Sequence, residues 1–152
     1  MNLQWLHSSV KNAKEDCLDI FFSAKTHKPD VPFRCIVTER ATWQYEVSSF
    51  LQKNLGSLTI DDPFLVSNSL AVVDYLKCHN PGSCSMFSID VQDLFYSLPH
   101  NSLLRYVRKC IEDENDESDF ISKCGISVGA FLELLSFYLK STFVEWEGRL
   151  YT

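Results

Sequence analysis

No apolar run in this 152-residue chain approaches the ~18 consecutive residues that a bilayer-spanning helix needs. Met1 to Val10 has neither a basic flank nor a long apolar stretch, so it does not read as a secretory signal. Glycine and proline are scarce, at five each, which excludes a collagen-like chain or an extended linker. None of the six cysteines (17, 35, 78, 84, 110, 124) stands in Cys-x-x-Cys spacing. Without a secretory signal their even number does not imply disulfides, and buried free thiols are expected. Cys78, His79 and Cys84 come nearest to a metal cluster, but structural zinc takes four ligands in tighter pairs. A basic surplus is also missing: 14 Lys and Arg face 20 Asp and Glu, a net charge of −6. That excludes a nucleic-acid binder that is basic throughout, so any such function must rest on a local patch. What is present is apolar and aromatic side chain, 45% and 13% of residues, enough for a core. The length fits one domain or a piece of a larger one. The expectation is an intracellular protein of nucleus or cytoplasm with no membrane partner.

Charge is unevenly spread. Residues 1–56 hold seven Lys/Arg against six Asp/Glu, and residues 57–152 hold seven against fourteen. Six of those acids (Glu112, Asp113, Glu114, Asp116, Glu117, Asp119) form one run, which reads as a solvated loop between helices. It lacks the glycine turn of an EF-hand.

Periodicity lays out the elements. Leu3, Leu6, Val10, Ala13 and Cys17 recur at helical spacing and predict a helix over 2–17. Leu18 to Ser23 and Phe33 to Thr38 read as strands around a polar loop, a hairpin with cations near its tip. Thr42 caps a helix that buries Trp43, Val47, Phe50, Leu51 and Leu55 and stops at Gly56. Asp61-Asp62-Pro63 and Asn80-Pro81-Gly82 are turns, with a helix between them capped by Ser67 and facing Leu70, Val73 and Leu76 inward. Ser85 to Val91 is an apolar strand ending on an acid. Pro99 precedes a helix with Leu103, Leu104, Val107 and Ile111 on one face, and a last helix carries Val128, Phe131, Leu132, Leu135 and Leu139. Thr142 to Thr152 turns at Glu147-Gly148, a hairpin. Trp5, Trp43 and Trp146 read as packing residues, and His27 and His79 as surface residues.

The segment from Met86 to Pro99 carries the chemistry. An apolar strand delivers the carboxylate of Asp90 at its C-terminal end, with an aromatic residue five positions later and a proline nine later. Phosphoryl transfer by two metals needs carboxylates on rigid strand ends, because the ions clamp the attacking and leaving oxygens. The turn that follows offers backbone N–H groups to a triphosphate. An acid at a strand end is also a common structural cap, and Phe95 is as readily a core residue as a gate.

In this order the segments resemble a reverse transcriptase. Asp90-Val91-x-Asp93-x-Phe95-Tyr96-Ser97-x-Pro99 is similar to motif A of that family. Arg34-Cys35-Ile36-Val37-Thr38-Glu39-Arg40 resembles its fingers motif. Lys25-Thr26-His27-Lys28-Pro29 is similar to the Lys-x-His-Lys signature of Penelope-like retroelement polymerases. Phe131 to Phe137, then Ser141 to Phe143 and a Trp146-x-Gly148 turn, resembles the stretch those elements carry before motif B. The resemblance covers about 25 to 152 and implies an α+β fold, a partial right-hand polymerase with an incomplete sheet. On it, 1–24 is an N-terminal helix and strand, 25–83 is fingers-like and 84–152 starts the palm.

The implied activity is RNA-directed DNA synthesis by a transposable element, adding dNTPs to a DNA primer on an RNA template with two Mg²⁺ ions. The implied roles are Asp90 as catalytic ligand of both metals, Val91 lending its carbonyl to one, Phe95 as the sugar gate and Asp93 beneath the triphosphate. Arg34 would contact phosphate from the fingers, with Lys25 or Lys28 as the second cation; Arg40 is as readily structural. The Tyr-x-Asp-Asp turn of motif C is absent, and Asp61-Asp62 does not replace it, standing before a proline with no aromatic at the needed spacing. A fragment inactive by itself, prone to self-association through an open sheet edge, is therefore expected. The alternative is a non-catalytic α+β module that binds RNA or a protein, which the surplus of five cations over three acids in 25–53 supports.

Overall fold

The computed structural model describes residues 3–79, 82, 85, 87–91 and 94–151, with the backbone alone for 95 and 96. The elements in chain order are α1 (Leu3–Lys11), β1 (Asp19–Ala24), β2 (Phe33–Thr38), α2 (Trp43–Leu55), α3 (Ser69–Cys78), the single turn α4 (Leu94–Ser97), α5 (His100–Glu112), α6 (Glu117–Cys124), α7 (Val128–Lys140), β3 (Val144–Trp146) and β4 (Arg149–Tyr151). The fold is α+β, with two two-stranded antiparallel sheets among the described residues. Among the described residues no single helix is long and apolar enough to cross a membrane. The chain divides into two units, Met1–Thr59 with His100–Thr152, and Ile60–Pro99.

The first unit is built on helices that each bury one stripe. Thr42 caps α2 by accepting a hydrogen bond from the Tyr45 amide, and Val47, Phe50 and Leu51 face inward at helical spacing. Ser127 caps α7 in the same way, which buries Val128, Phe131, Leu132 and Leu135. Ile111 of α5 is fully buried, and Leu104 and Val107 pack beside it. The ring of Phe131 meets Phe120 edge-on at 5.1 Å between centroids and lies 6.3 Å from Phe50.

Three sequence expectations need correction in this unit. The first helix ends at Lys11 rather than Cys17, because the amides of Lys14 and Glu15 turn to the carbonyl of Ala41. The acidic run is not all loop. Asp116 caps α6 by accepting from the Asp119 amide, Phe120 and Cys124 are buried on it, and Gly125 closes it at φ 81°. The thiols are mostly accessible: Cys35 and Cys78 (the latter in the second unit) are exposed, and only Cys124 is buried among those described.

The hairpin of β1 and β2 forms in the expected place, with Asp19 opposite Thr38 and Ala24 opposite Phe33. Leu18, 3% exposed, donates its amide to the Phe143 carbonyl and so sets the start of β1 beside β3. Phe22 of β1 meets Trp146 of β3 edge-on at 5.6 Å. The turn between β3 and β4 has positive φ at both Glu147 (50°) and Gly148 (73°), which matches the right-handed twist of a two-residue hairpin.

In the second unit Asn68, one residue beyond the expected Ser67, caps α3. No residue of α3 is buried, so the expected inward stripe of Leu70, Val73 and Leu76 is corrected: Leu70 and Val73 are exposed and Leu76 half-buried. Asp62 accepts from the Phe64 amide, forming the expected turn. The turn expected at Asn80-Pro81-Gly82 falls largely outside the described residues. Residues 87–91 are not a strand. Extended backbone becomes a strand only when a neighbour takes its N–H and C=O groups, and no described residue pairs with this segment.

Candidate functional site

The hairpin gathers the cations that the sequence singled out. Side chains directly opposite in a sheet share a face, so Arg34 stands beside Ser23, with Ile36 opposite Phe21 on the same side. The connecting loop is held by three backbone bonds: Lys25 amide to Pro32 carbonyl (2.9 Å), Lys28 amide to Lys25 carbonyl (3.0 Å) and Val31 amide to Lys28 carbonyl (3.1 Å). Val31 sits at φ 43°, a region that costs a β-branched residue energy, so the loop is held in place by its neighbours.

Between loop and strands lies a concavity of about 320 Å³ bounded by Ser23, Lys25, His27, Lys28, Arg34 and Ile36. The ion pairs among the described residues use Lys77, Arg108, Lys109 and Lys123, and none engages Lys25, Lys28 or Arg34. Positive charges without acidic partners among the described residues, on a pocket that also carries the Ser23 hydroxyl, suit an anion of phosphate size. His27 is on the surface, as expected, and also lines this pocket, which sequence reasoning did not single out. The signal was available in its position between the two lysines.

Asp90 and Val91 belong to the second unit, exposed on irregular backbone rather than at a strand end. Asp93 lies outside the described residues, as does the ring of Phe95, whose backbone is in α4. Among the described residues no group of three or more His, Cys, Asp or Glu side chains is placed to hold a metal. Two Mg²⁺ ions need several oxygen ligands to offset their mutual repulsion, and Asp90 with the Val91 carbonyl does not fit that need. His79 stacks on Tyr75 at 4.1 Å with Nδ1 3.0 Å from the Tyr75 carbonyl, and Cys84 lies outside the described residues. Arg40 is exposed, its amide donating to Thr38 Oγ1 at 3.3 Å.

A part-buried polar girdle joins the hairpin to the helices. Glu39, directly after β2, accepts from Ser48 Oγ at 2.7 Å and from the hydroxyl of Tyr138, while its carbonyl accepts from Thr42 Oγ1 at 2.8 Å. Burial and the Glu39 carboxylate push the Tyr138 phenol up to about 12. Gln44, 1% exposed, donates from Nε2 to the Ser141 carbonyl at 3.4 Å. Nothing in the local sequence marks Glu39 and Tyr138 as partners.

Comparison with protein-family models, with curated proteins and with solved structures finds no match to the chain.

Proposed function

We propose that the chain carries the fingers hairpin and the first palm segment of an RNA-directed DNA polymerase of the Penelope-like retroelement type, and that the hairpin contacts phosphate. The observation that supports this most directly is the pocket where Lys25, Lys28 and Arg34 converge on one end of the β1–β2 hairpin. These are the cations that the resemblance assigns to phosphate. In nucleotidyl transfer such groups hold the negative charge of a triphosphate or a template strand in position. On this reading the chain by itself holds phosphate and is not expected to polymerise, since the sequence has no Tyr-x-Asp-Asp turn to supply further carboxylates beside Asp90.

A second reading, a non-catalytic module that binds RNA or a protein, is favoured by the exposed setting of Asp90. The two readings diverge over nucleotides. Fluorescence anisotropy with a labelled single-stranded RNA should show salt-dependent binding that Arg34→Ala and Lys25→Ala each weaken, lowering the salt slope by ~0.7 per lost phosphate contact. In the polymerase reading a dNTP competes for the hairpin and displaces the RNA. Binding that is indifferent to dNTPs supports the module, and binding untouched by both substitutions sinks either reading of the hairpin.

A further inference from the structure

We propose that His27 is a fourth, proton-dependent cation of the hairpin pocket, so that this site grips nucleic-acid phosphodiesters more tightly when the imidazole is charged. The inference rests on the phosphate-contacting reading of the hairpin and adds a control to it.

The pocket places His27 among charges of one sign. From the loop, Lys25 and Lys28 face the same concavity, and from β2 Arg34 does. From β1 come only Ser23 and Ala24, which do not titrate. Asp30, the one acid of the loop, does not bound the pocket, and no ion pair among the described residues engages His27. Imidazole is the side chain whose charge changes across the neutral range. A phosphodiester held by those cations favours a proton on the imidazole that lines the same pocket, because the added charge then falls beside an anion. Binding and protonation therefore favour each other, and by reciprocity affinity rises as pH falls.

The hairpin's own architecture keeps this effect local. Lys25 and Lys28 are tied to each other through the Lys28 amide, so His27 lies inside one turn whose ends are both cationic. His7 and His100 lie in α1 and at the start of α5, and His79 follows α3 with its ring stacked on Tyr75, so they do not bound the pocket.

The test is anisotropy of the whole chain with a single-stranded RNA that lacks terminal phosphates, so the probe's charge is constant between about pH 8 and about pH 5.5, the range over which histidine titrates. For the unaltered protein, affinity should rise about fivefold on acidification, a modest coupling. The salt slope should steepen by ~0.7, as expected for one more neutralised phosphate on a single strand. His27→Gln should bind as the unaltered protein does at the higher pH and show neither change. His27→Lys should show the tight binding at both pH values, and its melting temperature reports whether the hairpin still folds. RNA bound with the same pH response in His27→Gln overturns the role of His27 while leaving the phosphate-contacting hairpin intact. No binding by the unaltered protein at either pH overturns both.

Discussion

The phenol of Tyr138 donates a hydrogen bond to the carboxylate of Glu39, 99 positions earlier in the chain, and so fastens α7 to the segment that leaves β2. Ser48 of α2 donates to the other carboxylate oxygen. Three elements therefore meet on one side chain at the base of the cationic hairpin.

This contact predicts a defined alkaline instability. The folded Tyr138 phenol titrates at about 12 against an ordinary value of 10.0. The folded state thus keeps a proton that the unfolded chain releases between those values. The contribution is fully present below pH 10 and is lost as pH rises through 12. Tyr138→Phe removes the bond and should cost ~1.5–3 kcal/mol near neutral pH, the scale of a hydrogen bond to a charged acceptor. Denaturant midpoints at pH 8 and pH 11 should fall further in the unaltered protein than in the variant. Equal falls would refute the assignment.

Phe131 is the centre of the aromatic core, with no exposed surface and rings of Phe120 and Phe50 against it. Truncation leaves a cavity that α2, α6 and α7 cannot close together, since each is capped and fixed at its own end. Phe131→Ala should cost ~3–5 kcal/mol, a large share of a small domain's stability. Phe137, 58% exposed on the same helix, should tolerate alanine with ~1 kcal/mol or less, apart from its contact with Trp43 at 5.5 Å. Urea titration of the two variants separates these outcomes.

The elements that were legible in the sequence are those whose cause is local. Thr42 caps its helix through an atom three residues away, and Glu147-Gly148 makes its own turn, so each was read from a short window; Ser127 caps α7 by the same local contact and was not singled out. The strand at Phe33 to Thr38 was legible from β-prone residues bounded by turn signals. What failed depended on distant partners. The first helix ends where Ala41 offers its carbonyl to Lys14 and Glu15. The apolar run before Asp90 has strand composition, but no described residue pairs with its described part, and composition alone does not supply a neighbour. The α6 helix was a missed local signal: Asp116 at the cap, Phe120 and Cys124 one turn apart, and Gly125 beyond. At the candidate site the cations were foreseen together near the hairpin tip. Their convergence with His27 depends on the hairpin register and loop closure, which single positions do not encode.

The thiols should label in an order set by burial. Cys35 and Cys78 are exposed and react first. Cys110 is slower, because burial and the nearby Glu114 carboxylate push its thiol up. Cys124 is 1% exposed and burial pushes its thiol up, so it should react only as the protein unfolds. Timed alkylation with peptide mass mapping gives the order. Early modification of Cys124 would contradict its place in the core beside Phe120.

Asp90 provides the sharpest test of what this chain does alone. A carboxylate that holds catalytic metal is fixed by neighbours and shares its ions with other acids. Asp90 instead lies on exposed, irregular backbone and takes part in no ion pair among the described residues. Asp90→Asn should therefore shift stability by no more than ~0.5 kcal/mol, as for an unengaged surface position. It should also leave hairpin-mediated RNA affinity unchanged, since the cations that make that contact belong to the first unit. Primer extension on an RNA template with Mg²⁺ and all four dNTPs should give no incorporation with either protein. Template-dependent incorporation by the unaltered chain, abolished in Asp90→Asn, would mean that Asp90 acquires metal-binding partners on engaging primer and template. The hairpin would then be part of a working polymerase site rather than a phosphate grip alone.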